Sequence, residues 1–299
     1  MKTWFITGAS RGFGALITEA VLASSDAVVA TARDPASIAD HPRLLKLPLD
    51  VTSEAQARTS AARGIEEFGR IDVLVNNAGY RLLGAVEETS AIEVEHVFAT
   101  NVFGLLNVTR AVLPYMRKHR SGHVINMSSI GGYSSSSGWG VYCATKFAVE
   151  GISEALSLEL APLGIHATVV EPGYFRTDFL SAQSLSSTSV RIDDYVDTVG
   201  RMRTFAAAAN HQQPGDPQRL AQVIVQLAAA HRPPTRLALG SDTGARIEEK
   251  HRDVERELDL GTRCRCRRTS YVREALIGVT LGGNAGRRTA AWWRLCDGR

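Results

Sequence analysis

The sequence predicts an α/β fold in which a doubly wound parallel sheet of about seven strands carries helices on both faces. Two observations predict this class. Short runs rich in β-branched and aliphatic residues alternate with longer helical patterns, which is typical of a parallel sheet covered on both sides. The chain has 299 residues, of which 44% are hydrophobic and 22% charged, so it can bury the core that such a sheet needs.

The elements follow one another at short intervals along the chain. The predicted strands are the apolar runs at 4–7, 27–31, 44–47, 72–75, 123–127, 166–170 and 236–239. The predicted helices are 12–24, 53–68, 90–119 and 141–163. Ser53 is the expected N-cap of the second helix, and the third is expected to break near Asn101. Ligands bind beyond the carboxyl ends of the strands in such sheets, so the residues that follow each strand are candidates for a site.

The chain divides by composition near residue 260. Residues 1–260 contain no linker and are expected to form a single domain. Residues 261–299 hold nine arginines against two acidic residues, and a basic segment with few apolar periods is expected to be poorly ordered. The net charge of the whole chain is only +3, so the body is mildly acidic, which argues against nucleic acid as a partner.

We find no sequence signal for export, a membrane anchor or a metal. No apolar run approaches the roughly 20 residues that span a bilayer, and Gly8 comes too early for a signal peptide. The four cysteines lack the spacing of a disulfide framework, which fits a reducing compartment. Cys264 and Cys266 would need two more metal ligands, and no nearby histidine pair supplies them. We expect a cytoplasmic protein with no membrane contact and no metal.

A glycine-rich turn joins the first strand to the first helix. It consists of Thr7, Gly8, Ala9, Ser10, Arg11, Gly12, Phe13 and Gly14. Glycine lets the backbone approach a pyrophosphate closely, and the start of the following helix offers free N–H groups and a positive dipole end. The spacing differs from that of the most common dinucleotide motif. The turn favours dinucleotide binding, with an ordinary glycine-rich turn as the alternative.

Basic residues follow the second strand, where an acidic residue would bind the adenine ribose of NAD. The sequence has Ala32 there, followed by Arg33, and Arg11 lies on the same side. Two guanidinium groups suit the 2′-phosphate of NADP because they form charge-assisted, often bidentate contacts. We therefore expect NADP (NADPH) rather than NAD. The alternatives are that Arg33 is a solvated surface charge or that Asp34 turns inward in its place.

A tyrosine and a lysine share one face of the fourth helix. Tyr142 and Lys146 are four residues apart, and a nearby ammonium lowers the pKa of a phenol toward the range of acid–base catalysis. Such a pair is common on helix surfaces. Ser129, however, stands 13 residues before Tyr142 at the end of the fifth strand, where its hydroxyl could polarise a carbonyl while Tyr142 donates a proton.

Together these motifs resemble those of the short-chain dehydrogenase/reductase family, with a Rossmann-like fold, over residues 3–257. The pattern is most similar to that of retinol and hydroxysteroid dehydrogenase-like members and the bacterial oxidoreductases that share it. Besides the glycine-rich turn, Ser129, Tyr142 and Lys146, the resemblance rests on Asp50, Val51, Asn76, Asn77, Ala78, Gly79, Asn101, Pro172, Gly173 and Thr177.

The resemblance implies a role for each position. Tyr142 would be the acid–base, while Lys146 would lower its pKa and hold the nicotinamide ribose. Ser129, with Ser128 as the weaker alternative, would orient the carbonyl. Asn101 would support a water that relays protons to Lys146. Contacts with the cofactor are implied for Asp50, Val51, Asn77, Ala78, Gly79, Pro172, Gly173 and Thr177, together with the glycine-rich turn.

The sequence thus predicts an NADP(H)-dependent oxidoreductase that interconverts a small-molecule carbonyl and an alcohol by hydride transfer. The alternatives are a catalytically silent NADP-sensing regulator and a Rossmann-like methyltransferase, and the tyrosine–lysine pair argues against both. Residues 130–140 and a lid at 178–215 are expected to shape the substrate pocket. The apolar residues of the helix around 101–116 are expected to support a homo-oligomer.

Overall fold

The computed structural model describes residues 1–177, 185–208 and 213–263. The chain divides into two compact units, Met1–Arg252 and Asp253–Arg299, and the sheet and the candidate site belong to the first. The predicted lid lies partly outside the described residues. The basic tail at 261–299, which was predicted to be poorly ordered, lies outside the described residues except for 261–263. Its cysteine pair also lies outside them. The single domain over 1–260 stays a prediction.

Within the residues that the structure describes, nine parallel-paired strands form two sheets. They are β1 (Thr3–Thr7), β2 (Ala27–Ala32), β3 (Leu44–Pro48), β4 (Val73–Asn76), β5 (Arg81–Leu83), β6 (Gly122–Met127), β7 (Ile165–Pro172), β8 (Leu185–Ser187) and β9 (Arg236–Leu239). The main sheet has seven strands in the order β3-β2-β1-β4-β6-β7-β9, and β5 pairs with β8 in a separate sheet. The predicted doubly wound sheet is therefore confirmed, with all seven of its predicted strands in place.

Eight helices surround these sheets within the described part of the chain. They are α1 (Gly12–Ala23), α2 (Glu54–Phe68), α3 (Ala91–Phe98), α4 (Leu105–His119), α5 (Gly140–Leu160), α6 (Arg201–Ala208), α7 (Pro217–Ala229) and α8 (Ser241–Arg263). Ser53 caps α2 as predicted, since its side chain accepts a hydrogen bond from the Gln56 amide at 3.3 Å. A π-helical segment, Ala99–Gly104, joins α3 to α4 at the place where a break was expected.

The two faces of the main sheet pack into separate hydrophobic cores. In β1, Trp4 and Ile6 belong to the core that contains α1 and α7, whereas Phe5 belongs to the core that contains α2, α4 and the end of α5. Side chains alternate between the faces of a strand, so β1, in which every residue is buried, requires cover on both sides. This double cover leaves the carboxyl edge of the sheet as the place where its loops can meet a ligand.

One helical stretch in the described residues, Ala91–His119, is long and apolar enough to cross a membrane by length and composition alone. More than half of its apolar window, 56%, is buried inside the fold. Val108 and Val112 of this stretch are fully buried and pack beneath the main sheet. The apolar side chains of this stretch therefore form part of the hydrophobic core beneath the main sheet.

Candidate active site

The glycine-rich turn folds tightly between β1 and α1. Gly8 and Gly12 have φ values of +66° and +56°, which side chains rarely tolerate. A Cβ on Gly14 would lie 2.2 Å from the Gly8 carbonyl oxygen, so only glycine allows this approach. Arg11 precedes α1 in extended conformation, and none of the described side chains caps the helix. The first N–H groups of α1 therefore face the end of β1, where an anion can bind.

Asn77 braces the turn from the end of β4. Its Nδ2 donates to the carbonyl oxygens of Thr7 at 2.9 Å and Gly8 at 3.1 Å. In return, the Thr7 hydroxyl oxygen accepts from the backbone N–H groups of Asn77 and Ala78, both at 3.0 Å. Four hydrogen bonds thus join the two loops, so the predicted cofactor residues of β1 and β4 do lie together.

On the far side of the turn, the Phe13 ring contacts Phe175 edge-on with the ring centroids 5.6 Å apart. Ser10 is half-buried. This aromatic contact connects the start of α1 to the loop after β7. The turn is therefore held from two sides, by β4 and by the β7 loop.

The predicted adenine end lies at the carboxyl ends of β2 and β3. Arg33 follows β2 directly and is exposed, as is Arg11. Asp34 does not replace Arg33, because its carboxylate accepts a hydrogen bond from the Ala36 amide at 2.9 Å in a local turn. Burial raises the pKa of Tyr80, and the charge of Arg33 opposes this rise.

The loop after β3 holds the other two predicted adenine contacts. The Asp50 carboxylate accepts from the Thr52 amide at 3.0 Å and from its hydroxyl at 2.8 Å. Val51 is buried, and its carbonyl oxygen accepts from Asn107 at 3.1 Å. A Cβ on Gly104 would lie 2.5 Å from Val51. The π-helical segment therefore packs closely against this loop and fixes its position.

Ser129, Tyr142 and Lys146 converge beside the ends of β6 and β7, and all three are buried. A Cβ on Gly131 would lie 3.5 Å from the Ser129 hydroxyl oxygen and 3.5 Å from the Tyr142 ring, so these two side chains lie next to each other. The Ser129 oxygen accepts from the Gly131 amide at 3.1 Å. Lys146 donates to the Met127 carbonyl oxygen at 2.8 Å, and its Nζ lies 5.9 Å from the centre of the Tyr142 ring. Burial lowers the pKa of Lys146 to about 8.

Ser128 faces away from this group. A Cβ on Gly132 would lie 2.5 Å from its hydroxyl oxygen and 3.0 Å from the side chain of Glu150, so Ser128 lies on the side of Glu150, one helical turn beyond Lys146. Burial raises the pKa of Glu150, and burial together with the charge of Glu150 raises the pKa of the neighbouring Glu171 to about 7. Arg236 lies 3.4 Å from Glu150 and 3.8 Å from Glu171. The geometry therefore favours Ser129 over Ser128 as the partner of Tyr142.

Asn101 uses its side-chain amide to hold two other elements. Its Oδ1 accepts from the Tyr80 amide at 3.0 Å, and its Nδ2 donates to the Tyr80 carbonyl at 2.9 Å and to the Thr145 hydroxyl at 3.1 Å. We call these three hydrogen bonds the Asn101 clamp. A Cβ on Gly79 would lie 2.9 Å from Oδ1, so the Asn101 clamp requires glycine at position 79. Asn101 thus fixes the loop after β4 against α5. The implied water between Asn101 and Lys146 stays a prediction.

The loop after β7 carries the remaining predicted contacts. A Cβ on Gly173 would lie 2.2 Å from the carboxylate of Asp242, which accepts from the Tyr174 amide at 2.8 Å. Pro172 ends β7, and Thr177 is buried. Asp242 thus holds this loop from the first turn of α8, at the same edge of the sheet as Lys146.

A cavity of about 530 Å³ reaches Gly140, at the start of the helix that carries Tyr142. It is lined by residues 85–87, 135–138, 140, 195, 198 and 199, which include parts of the two segments that were expected to shape the substrate pocket. The Tyr195 hydroxyl donates to Glu87 across it at 2.6 Å. The residues before α3, which sequence reasoning did not include, form the third wall.

Sequence reasoning missed Arg81, whose guanidinium lies beside Tyr142. The available signal was a basic residue directly after the Asn76–Tyr80 run, in front of two leucines. A three-residue strand has no recognisable period, so β5 was not predicted and neither was the direction of this side chain.

Comparison with known proteins agrees with this geometry. A sequence model of the short chain dehydrogenase family matches residues 2–187. An oxidoreductase of Botryotinia fuckeliana is 37% identical over 247 residues, covering 81% of this chain and 89% of its own. A 3-ketodihydrosphingosine reductase of Bacteroides thetaiotaomicron is 39% identical over 236 residues, covering 79% and 86%.

A solved short-chain dehydrogenase from Streptomyces avermitilis shares the fold. It is 40% identical, with a TM-score of 0.80, and the match covers 87% of this chain and 96% of that one. The chain therefore belongs to the short-chain dehydrogenase/reductase family and is an oxidoreductase enzyme. A silent NADP-sensing regulator finds no support among these relatives.

Proposed function

We propose that this enzyme uses NADP(H) to interconvert a carbonyl and an alcohol, with Tyr142 as the proton donor and acceptor. The observation that carries the proposal is the convergence of Ser129, Tyr142 and Lys146 at the edge of the sheet where the glycine-rich turn also lies. A ketone reductase among the relatives, named for 3-ketodihydrosphingosine, supports the same reaction class.

The residues present fit a dinucleotide. The uncapped start of α1 and the missing Cβ at Gly14 leave a cradle of N–H groups for the pyrophosphate. Lys146 would hold the nicotinamide ribose, and the loop from Pro172 to Thr177 would border the nicotinamide ring. When bound, the cofactor supplies the hydride for reduction of the carbonyl carbon or accepts it from the alcohol.

The chain's own residues supply the proton chemistry. Ser129 donates a hydrogen bond to the substrate oxygen and orients it, while the Tyr142 hydroxyl transfers its proton to that oxygen. Burial excludes water from both hydroxyls and raises the pKa of Tyr142, so a nearby positive charge must stabilise the phenolate that forms. Lys146 was expected to supply this charge.

The preference for NADP is proposed from Arg33 and Arg11, which stand exposed at the carboxyl edge of β1 and β2. We expect Arg33→Asp to reverse the preference toward NAD, because it removes one phosphate partner and places a carboxylate where the 2′-phosphate would lie. The ratio of kcat/KM for NADPH to that for NADH measures this. Arg43→Asp, on the opposite end of β3, is the matched control, and an unchanged ratio in Arg33→Asp would contradict the assignment.

The reaction class is tested by a carbonyl panel. NADPH oxidation is followed with simple ketones, quinones, steroid ketones and 3-oxoacyl thioesters, in wild type and in Tyr142→Phe. Turnover of at least one member by wild type is expected. NADPH binding without turnover of any member would contradict the proposal.

Two further expectations concern the whole protein. A homo-oligomer is proposed, although most apolar residues between 101 and 116 prove to be buried within the chain and Phe103, at 56% exposure, is the main exception. We expect sedimentation at micromolar concentration to give a mass above that of one chain, and a monomer mass would contradict this. A cytoplasmic location also stays a prediction.

A further inference from the structure

Arg81 places a second buried cation beside Tyr142. The side chain is only 5% exposed, and its guanidinium carbon lies 5.8 Å from the centre of the Tyr142 ring and 5.6 Å from that of Trp139. Burial raises the pKa of Tyr142, and the charge of Arg81 opposes this rise. Lys146, by comparison, donates to the Met127 carbonyl oxygen.

The backbone fixes Arg81 in this position. It follows Tyr80, whose N–H and C=O are both bound by Asn101, and it pairs with Leu185 in the small sheet. At the other end of β5, the Gly84 amide donates to the Gly138 carbonyl at 2.9 Å, directly before Trp139. The Asn101 clamp therefore positions Arg81 as well as α5.

The aromatic rings make the burial of this charge tolerable, since a guanidinium near the faces of Trp and Tyr rings gains cation–π energy. Burial lowers the pKa of Arg81 to about 10 and that of Lys146 to about 8, and the charge of Arg81 adds to the lowering at Lys146. As the pH rises past 8, Lys146 loses its charge first, while Arg81 keeps its own. Arg81 is then the positive charge that remains next to the phenol.

We propose that Arg81 stabilises the phenolate form of Tyr142 and so acts, through Tyr142, in the reaction proposed above, on which this inference rests. In reduction, the carbonyl carbon gains a hydride from NADPH, and the carbonyl oxygen takes the Tyr142 proton. The products are the alcohol, NADP+ and a phenolate, whose negative charge lies against the guanidinium. In oxidation, the same phenolate takes the hydroxyl proton back as the hydride leaves.

The test is the pH dependence of kcat/KM for alcohol oxidation, using NADP+ and the alcohol of the panel ketone with the highest turnover. An opposite charge at this distance lowers a pKa by about 1–3 units. We therefore expect Arg81→Met to move the midpoint of the rising limb up by about one pH unit or more. Arg81→Lys keeps a positive charge, so its midpoint should lie close to that of wild type.

Arg246→Met is the matched control, because Arg246 binds Ser134 and the Ser135 carbonyl in the neighbouring loop and its loss also removes one positive charge nearby. Its midpoint should match that of wild type. Circular dichroism and NADP+ binding check that each variant folds. A lower rate with an unchanged midpoint in Arg81→Met would show a merely structural role and overturn the inference. No turnover of any panel carbonyl by wild type would instead overturn the proposed function, and this inference with it.

Discussion

Replacement of Tyr142 by phenylalanine is expected to lower kcat for carbonyl reduction by about two orders of magnitude or more, the usual contribution of a general acid. The substitution removes only the hydroxyl that lies near Ser129 and Arg81 and keeps the ring that packs edge-on against Trp139 at 6.2 Å. The fold and the affinity for NADPH should therefore be retained, as measured by circular dichroism and by cofactor fluorescence.

Tyr133→Phe provides the control for this substitution. Tyr133 lies in the same loop region after Ser129, but its hydroxyl contacts His251 rather than the group around Tyr142. This variant should keep wild-type turnover. Activity of Tyr142→Phe within about threefold of wild type would contradict the assignment of Tyr142 as the acid–base.

Loss of the Glu88 charge is expected to cause the largest fall in stability. Glu88 is 1% exposed and accepts hydrogen bonds from Arg203 at 2.6 Å, the Ala85 amide at 2.7 Å and the Ile192 amide at 3.0 Å. Glu88→Gln leaves the largely buried Arg203 without its countercharge. Breaking such a pair costs about 3 kcal/mol of unfolding free energy, measured by urea denaturation of the full chain.

The same pair predicts how stability depends on pH. Burial alone would raise the pKa of Glu88, but its hydrogen bonds with Arg203, Ile192 and Ala85 lower it to about 2, from an ordinary value of 4.5. A carboxyl with a lowered pKa stabilises the fold above its ordinary pKa and loses this contribution as the pH falls toward its folded value. Wild type should thus lose stability between pH 4.5 and 2, and Glu88→Gln should lose less.

Arg201→Met is the matched control for the buried pair. Arg201 lies on α6, as Arg203 does. Its ion pair with Asp197 at 3.2 Å is at the surface, with the two side chains 79% and 83% exposed. An exposed pair contributes at most about 0.5 kcal/mol, so this variant should unfold close to wild type. Equal stabilities for Glu88→Gln and Arg201→Met would contradict the anchoring role of Glu88 for residues 185–208.

The main sheet could be predicted because its strands are apolar on both faces, as in Trp4, Phe5 and Ile6 of β1, and because turns and caps mark their ends. α7 was missed because its start, Asp216 and Pro217, also has the composition of a loop. The structure uses Asp216 as the N-cap, with its carboxylate accepting from the Gln218 amide at 2.9 Å, and places proline at the first helical position, where it is tolerated.

The candidate site was predictable where spacing carries geometry. Tyr142 and Lys146 share a helix face whatever the tertiary structure, and glycine at positions 8, 12 and 14 predicts a tight turn from local sterics alone. Contacts across the fold have no such local signal. The approach of Arg81 to Tyr142 depends on the Asn101 clamp and on pairing with a strand more than a hundred residues later, so only the structure could show it.

The most direct test of the central claim follows the hydride itself. Wild-type enzyme is given NADPH with deuterium at the transferable position of the nicotinamide, together with the ketone that it reduces fastest, and the product alcohol is examined by mass spectrometry and NMR. The account predicts one deuterium on the carbinol carbon, none on the carbinol oxygen after exchange with water, and no such product from Tyr142→Phe above about one hundredth of the wild-type rate. NADPH that is bound but never oxidised, or an alcohol without deuterium on that carbon, would contradict it.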